Sequence, residues 1–336
     1  MTRIKLPLII LGVSALVAVG VGFASGKNNQ TSSLSVGAAL QSGFVHVYRT
    51  VSPSVVQIST SEGLGSGIVF DNKGDIVTND HVVGKSKTFK VTTASGKYLT
   101  GTLVGTFIPD DLAVIRVSGA QLTPARFADS GAVQVGDIAM AIGNPLGLSS
   151  SVTEGIVSSL NRQEPEGNGV TLQNAIQTSA AINPGNSGGA LVDISGHVIG
   201  IPTLAAEDPQ LGGAEAGIGF AIPSNVVSSI AGQLIKYGKV VSSNRAYLGI
   251  SIADTGEGGG VYITKVYPGT GAAKAGLKVG ELIVALNGTA TPTSDELGTV
   301  LATLKPGQTV TVKLQTQSGA TSTAKLTLGE LPGTAS

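Results

Sequence analysis

Ser187 lies among glycines, in the run Gly185-Asn186-Ser187-Gly188-Gly189. Glycine lets backbone N–H groups turn toward an approaching oxygen, which suits the nucleophile of an acyl transfer. A serine hydroxyl is a weak nucleophile by itself, because it needs a base to take its proton and an acid to orient that base. The run therefore predicts a nucleophile and directs the search to a histidine and an aspartate.

His81 is the best candidate for the base among the three histidines of the chain. It follows a β-branched run that ends in a polar turn, and the end of a strand is a position from which a side chain can project into a cleft. His46 and His197 lack such a context, and we interpret them as structural or solvated residues.

An acidic pair, Asp110 and Asp111, stands directly before the apolar run Leu112 to Val117. Asp111 abuts this run, so we expect its carboxylate to be desolvated and able to orient an imidazole, and we expect Asp110 to face water. An acidic pair before a strand is ordinarily only a turn. The assignment of Asp111 as the acid therefore depends on His81 and Ser187.

The order His81, Asp111, Ser187 is that of chymotrypsin-like proteases, and five motifs in the chain resemble the HtrA/Deg family of serine proteases. The resemblance implies two six-stranded β-barrels with the three side chains in the crevice between them, and it suggests a homotrimer. The family usually has an aspartate where this chain has Ser179, which leaves the hydrogen bonding of that loop open. The motifs are Thr78-Asn79-Asp80-His81-Val82-Val83, Asp111-Leu112-Ala113-Val114-Ile115, Ala141-Ile142-Gly143-Asn144-Pro145-Leu146-Gly147, Gly185-Asn186-Ser187-Gly188-Gly189 and Gly217-Ile218-Gly219-Phe220-Ala221-Ile222-Pro223.

The residues around Ser187 also predict how a substrate is held. The N–H groups of Gly185 and Ser187 are expected to bind the oxyanion. In chymotrypsin-like folds the floor of the specificity pocket lies a few residues before the nucleophile, here at Ala181 and Ile182. No carboxylate is present there, so a lysine or arginine side chain would lose its hydration without a partner. We expect cleavage after Val, Ala, Ile or Leu, because Ile182 narrows the pocket.

Composition favours a mainly β fold. Glycine accounts for 48 of 336 residues and charged residues for 12%, which suits short strands joined by tight turns. The formal net charge is zero, so nucleic acid is not an expected partner. The chain has no cysteine, which excludes disulfides, thiolate chemistry and zinc-ribbon sites, and we expect no metal or other cofactor.

The N-terminus predicts a membrane anchor. Leu6 to Ala24 is a run of 19 residues without a charge, long enough as a helix to cross a hydrocarbon core of about 30 Å. Arg3 and Lys5 precede it, which places the short tail in the cytoplasm and the rest outside. A cleaved signal peptide is the alternative and would make the protein secreted or periplasmic. Residues 1–26 are assigned to tail and anchor, and residues 27–40 to a linker.

The protease domain is expected to span residues 41–238 and to end with a helix from Asn225 to Tyr237. After a linker at 239–244, residues 245–331 resemble a bacterial PDZ domain, an α+β fold. Thr293 and Glu296 have capping-box spacing at the start of its helix. The resemblance implies that a loop binds the carboxylate of a peptide C-terminus while the peptide adds as a β-strand. That loop is Tyr247, Leu248, Gly249 and Ile250.

The sequence thus favours a serine endopeptidase acting outside the cytoplasm on unfolded or damaged proteins, with PDZ-mediated substrate binding or regulation. His81, Asp111 and Ser187 carry the reaction in this interpretation. A function of another class remains open, because a fold does not fix an activity. The alternative is a catalytically quiet PDZ-based peptide sensor or holdase chaperone.

Overall fold

The structure is a computed structural model, and it describes residues 28–61, 63–119, 121–144, 151–167, 170–183, 185–207, 214–255, 259–316 and 318–333. The chain divides into two compact units, Met1–Ser42 and Gly43–Ser336. Helix α1 (Asn28–Val51) contains most of the predicted linker and ends at a 3₁₀ turn that contains Pro53. The predicted anchor from Leu6 to Ala24 lies outside the described residues, and none of the helices within them is long and apolar enough to span a membrane.

Two closed antiparallel barrels follow one another along the chain. The first barrel has six strands in the order β1-β2-β3-β6-β5-β4. Short helix α2 (Asp80–Val83) follows the third strand directly and carries His81. The barrel interior is filled by β-branched side chains such as Val56, Ile76 and Ile115. The strands are β1 Val55–Ser59, β2 Leu64–Val69, β3 Asp75–Thr78, β4 Thr88–Thr92, β5 Tyr98–Phe107 and β6 Leu112–Val117.

The second barrel has the order β10-β11-β12-β9-β8-β7 and carries Ser187 in the loop before its fourth strand. Its interior includes Ala139, Ile176 and Leu191. The two six-stranded barrels confirm the architecture that the family resemblance implied. The strands are β7 Ile138–Gly143, β8 Ser151–Gly167, β9 Val170–Thr178, β10 Ala190–Val192, β11 Val198–Glu207 and β12 Ala214–Pro223.

Helix α3 (Ser224–Tyr237) confirms the predicted helix and ends at Gly238, whose left-handed φ of 69° closes the last turn. Its buried residues Ile230 and Leu234 belong to a core cluster that also contains Val114 of the first barrel and Met140 of the second. The helix therefore packs where the two barrels meet and helps to fix the crevice between them.

The C-terminal domain contains a six-stranded sheet with the order β14-β15-β16-β18-β19, in which β17 pairs with β16. Strands β13 and β20 form a separate two-stranded pair. Strand β14 lies at an edge of this sheet, and helix α5 packs Leu297 into the core of the domain. The elements are β13 Ala246–Tyr247, β14 Ile250–Asp254, β15 Val261–Val266, α4 Gly271–Lys274, β16 Leu282–Leu286, β17 Thr289–Ala290, α5 Ser294–Ala302, β18 Thr309–Gln315, β19 Thr321–Thr327 and β20 Gly329–Glu330.

The start of α5 corrects the predicted capping box. The hydroxyl of Thr293 donates to the carboxylate of Glu296, so it does not cap a backbone N–H group. Asp254, at the end of β14, accepts hydrogen bonds at the start of the helix instead. Its Oδ1 accepts from the N–H of Ser294 at 2.6 Å, and its Oδ2 accepts from the Ser294 hydroxyl at 2.7 Å. The acceptor therefore comes from a neighbouring strand, which sequence spacing within the helix could not indicate.

Candidate active site

Hydrogen bonds connect the three predicted catalytic residues across the two barrels, because His81 pairs with Asp111 and Thr203 contacts both Asp111 and Ser187. His81 and Asp111 belong to the first barrel, and Ser187 precedes β10 of the second. His81 Nδ1 lies 2.8 Å from Asp111 Oδ2, and the His81 side chain is 48% exposed whereas that of Asp111 is 6% exposed. The candidate base is thus accessible from solvent, while the candidate acid beside it is shielded from water.

Asp111 is held by its backbone as well as by its carboxylate. It follows a 3₁₀ turn and has left-handed dihedral angles of 48° and 45°. Its carbonyl accepts from Asp80 N at 3.1 Å and from Asn79 Nδ2 at 3.0 Å, and its Oδ1 accepts from His81 N at 3.0 Å. These contacts tie the acid to the segment that carries the base, so the pair forms one preorganised unit.

Thr203 on β11 is a site residue that the sequence did not predict. Its hydroxyl donates to Asp111 Oδ2 at 2.5 Å, and its carbonyl accepts from the Ser187 hydroxyl at 3.1 Å. Thr203 therefore contacts both the acid and the nucleophile, and it joins the second barrel to the first. No motif marks this threonine, because its role depends on the fold that brings β11 beside Asp111.

A second carboxylate, Asp80, stands beside the base. Burial and then the charge of Asp111 raise the pKa of Asp80 above its ordinary value, while a hydrogen bond with Thr106 and the proximity of His81 act in the opposite direction. Once ionised, the half-buried Asp80 adds negative charge next to the imidazole. An added negative charge favours the protonated form of a nearby histidine.

The loop around Ser187 is fixed by glycine backbones and by Ser66 of β2. Ser66 Oγ donates to the Gly185 carbonyl at 2.5 Å and accepts from Asn144 N at 2.8 Å, and Ser66 N donates to the Ser187 carbonyl at 3.0 Å. Gly188 has a φ of 78°, and a Cβ there would lie 2.3 Å from the Ser66 carbonyl oxygen. Only glycine fits at this position, which explains part of the glycine-rich run.

The predicted pocket residues lie just before this loop. Ala181 is exposed, and its carbonyl accepts from Thr153 Oγ1 at 2.8 Å and from Asn186 Nδ2 at 3.3 Å. Ile182 is buried against Gly219 of β12, where an added Cβ would lie 2.4 Å from Ile182 Cγ1. Ser179, at the family's usual aspartate position, accepts from Ile156 N at 3.0 Å.

The expectation that Asp110 faces water is wrong. Asp110 is buried, and its Oδ1 lies 2.5 Å from Nη1 of Arg245, which precedes β13. The same guanidinium donates to the carbonyls of Pro109 and Thr171. Burial raises the pKa of Asp110 and the charge of Arg245 opposes this. The carboxylate is desolvated because a cation from the next domain covers it, which a local acidic pattern could not reveal.

A groove lies between β14 and α5, and Thr171 and Gln173 of β9 also border it. Its apolar lining residues include Leu248, Ile250, Leu297 and Leu301. The carbonyls of Leu248 and Gly249 accept from Ala272 N at 3.1 Å and Tyr267 N at 2.9 Å. Because C=O and N–H point in opposite directions in a trans peptide, the N–H groups of the next residues face away from these donors. The predicted loop is therefore arranged so that backbone donors are presented on its other side.

Two families match this chain: the trypsin-like peptidase domain at residues 65–201 and the PDZ domain at residues 239–315. The periplasmic pH-dependent serine endoprotease DegQ of Escherichia coli (strain K12) is 40% identical over 265 residues, which are 75% of this chain and 56% of that protein. The serine protease Do-like HtrA of Bacillus subtilis (strain 168) is 38% identical over 297 residues, 81% of this chain and 64% of that protein. The chain thus spans somewhat over half the length of these curated relatives.

Solved structures with the same fold include two proteases, one of them with a bound tripeptide. The serine endoprotease from Yersinia pestis is 34% identical, with a TM-score of 0.57 over 85% of this chain and 97% of that chain. The HtrA-type protease AlgW with a tripeptide is 31% identical, with a TM-score of 0.60 over 86% of this chain and 97% of that chain.

Proposed function

Because the chain belongs to the HtrA/Deg family of serine proteases, we propose that it is a serine endopeptidase that hydrolyses unfolded or damaged proteins outside the cytoplasm. One observation supports the proposal: His81 pairs with Asp111, and Thr203 contacts both Asp111 and Ser187. The alternative of a catalytically quiet sensor has no comparable feature in its favour.

The reaction follows from this arrangement. Ser187 Oγ attacks the substrate carbonyl carbon and gives its proton to His81, while Asp111 holds the opposite ring nitrogen and stabilises the imidazolium. The N–H groups of Gly185 and Ser187 bind the oxyanion, where one lost donor costs about 3 kcal/mol. His81 then protonates the leaving amine, and a water molecule releases the acyl group by the same steps in reverse.

Casein cleavage and covalent labelling test the assignment together. Ser187→Ala and His81→Ala should each abolish cleavage to a similar degree, because the members of a triad act as a unit. A fluorophosphonate probe should label the wild-type chain and leave Ser187→Ala unlabelled. Persistent casein cleavage by Ser187→Ala, or a folded wild-type chain that the probe does not label, would refute the proposal.

The pocket beside Ser187 selects small aliphatic side chains. Ala181 and Ile182 offer no carboxylate to lysine or arginine, and the buried Ile182 limits the depth available to an aromatic ring. Discrimination among Val, Ala, Ile and Leu is modest, since one methylene is worth about 1–3 kcal/mol. Mass spectrometry of casein digests checks this, and a majority of cuts after Lys, Arg, Phe or Tyr contradicts it.

The PDZ domain captures the C-terminus of a peptide. The carboxylate binds at the loop from Tyr247 to Ile250, and the peptide adds as a strand to β14, which lies at the edge of its sheet. The apolar residues of the groove favour an apolar final side chain. Free peptides should bind and their C-terminally amidated versions should not, which fluorescence anisotropy measures.

The uncharged run from Leu6 to Ala24 anchors the chain in the cell membrane. Carbonate washing should leave the full chain in the membrane fraction, whereas a mature N-terminus at Ser25 would identify a cleaved signal.

Both folded domains act as part of a homotrimer. Light scattering on residues 29–336 should therefore give three times the mass of one chain.

A further inference from the structure

We infer that the PDZ domain selects ligands with an acidic side chain next to an apolar C-terminal residue, and that Lys265 and Tyr267 recognise this acidic side chain. The inference rests on the proposed capture of peptide C-termini. It adds a chemical class of ligand that the apolar groove alone does not specify.

Strand β14 has two faces with different surroundings. Ile250 is buried and Ile252 is partly buried, and both pack into the core of the domain, toward α5. Ser251 lies between them, so its side chain points to the opposite face. A peptide that adds antiparallel to β14 must alternate in the same way, with its terminal side chain in the groove and its penultimate side chain on the face of Ser251.

That outer face carries a cation and two phenols. Lys265 lies directly opposite Ser251 across the β14–β15 pair, and its ammonium sits 4.5 Å from the ring centre of Tyr267. Tyr267 Oη lies 3.0 Å from Ser251 Oγ, and its ring centre is 6.3 Å from that of Tyr247. These contacts fix a positive charge and a phenol beside the path of the penultimate side chain.

The charge of this face matches an acidic ligand. Burial, followed by the proximity of Tyr267, raises the pKa of Tyr247 to about 12, so its hydroxyl stays protonated and able to donate at neutral pH. The nearest carboxylate on β14, Asp254, lies at the far end of the strand and is engaged by Ser294. A glutamate or aspartate side chain beside Ser251 therefore meets donors and a cation.

The test uses the full chain with Ser187→Ala, in detergent, and three labelled decapeptides that differ only in the penultimate residue. The common final residue is valine, and the penultimate residue is Glu, Gln or Lys. We expect affinities in the order Glu, Gln, Lys, with a step of about threefold typical of an exposed ion pair and a smaller step at high salt.

Lys265→Glu should reverse this order, and Lys265→Gln should remove the steps. Lys325→Glu is the matched control, because it makes the same change of charge on β19 and should preserve the order. If Lys265→Glu binds the three peptides in the wild-type order, the inference is wrong while capture stands. If no peptide binds, or if amidated peptides bind equally well, the proposed capture fails and the inference fails with it.

Discussion

Thr203 is a positioning residue for catalysis, because its hydroxyl donates to Asp111 and takes no proton from the substrate. Thr203→Val keeps the shape but removes the donor to Asp111, and a buried hydrogen bond to a charged group is worth about 1.5–3 kcal/mol. We expect kcat to fall roughly 10- to 100-fold with little change in KM. Steady-state kinetics on a chromogenic peptide measures this, and Thr203→Ser, which keeps a hydroxyl, should retain most activity.

Asp80 should set the acidic limit of activity. Its charge favours the protonated form of His81, so Asp80→Asn should let the base stay neutral to lower pH and shift the acid limb of kcat/KM down by about half a pH unit. Asp137→Asn, at an exposed position of the second barrel, is the control and should leave the limb in place. An unshifted limb in Asp80→Asn would show that this carboxylate does not act on the base.

The raised pKa of Asp80 also determines how the stability of the fold changes with pH. Because the fold disfavours its charged form, the charge costs stability above the folded pKa, and this cost disappears as the pH falls below it. Asp80→Asn should therefore melt at a higher temperature than the wild type at pH 8, and the difference should shrink on acidification. Melting curves at several pH values check this.

Site residues could be predicted from the sequence where they stand in a local sequence motif. Ser187, His81 and Asp111 stand in motifs, whereas Thr203 has nothing around it that distinguishes it from other strand residues. Asp110 was assigned to solvent because its partner, Arg245, is distant in sequence and belongs to another domain. A contact of this kind becomes visible only when the fold brings the two segments together.

Two helical glycines, Gly232 and Gly298, allow the effects of packing and of helix propensity on stability to be measured separately. In α3, a Cβ added at Gly232 meets nothing within 4 Å, whereas in α5 a Cβ added at Gly298 lies 2.4 Å from Thr171 Oγ1 of β9. Gly232→Ala should raise the stability by about 0.5–1 kcal/mol, since alanine is the better helix former. Gly298→Ala should lower it, because α5 can no longer approach β9 as closely.

Thr171→Ala supplies the control for that pair. It removes the hydroxyl that the new methyl group would meet, so Gly298→Ala should be tolerated in the Thr171→Ala background. Urea unfolding of the four chains gives the coupling energy. A Gly298→Ala cost that is unchanged without the Thr171 hydroxyl would place the strain elsewhere.

Most strands followed from the sequence, and the exceptions have physical reasons. In the first barrel β-branched runs such as Leu112 to Val117 alternate with turns, which is typical of strands. β7 is buried on both faces and has no alternation to detect. β8 continues through the polar residues Asn161 and Glu164, because it pairs with β9 along a register interrupted by several shifts. Tertiary pairing thus overrides the polar composition of that segment.

A buried ion pair between Asp110 and Arg245 is one of the contacts that join the two domains. A chain truncated after Ser242 loses Arg245, the cation that pairs with Asp110, together with the contacts that α5 makes with β8 and β9. We therefore expect the protease domain to survive truncation with a clearly lower melting temperature. It should still cut a short peptide at low temperature, because Asp111 keeps its own contacts with His81 and Thr203.

Asp110→Asn gives opposite results in the two chains if this explanation holds. In the truncated chain it removes an unpaired charge and should raise the melting temperature. In the full chain it removes the counter-charge of the buried Arg245, which keeps only its bonds to neutral carbonyls, and should lower the melting temperature. A change of the same sign in both chains would show that the pair does not link the domains energetically.

The short pairing of β13 with β20 brings the two ends of the PDZ domain together. Ala246 lies opposite Glu330 and Tyr247 opposite Gly329, and Leu331 N donates to the Arg245 carbonyl at 2.8 Å. A mechanical load applied through these two ends would open the ladder one rung after another, like a zipper. In an optical trap the domain should therefore yield at low force, whereas the same load applied along β18 and β19 would shear a seven-residue ladder all at once.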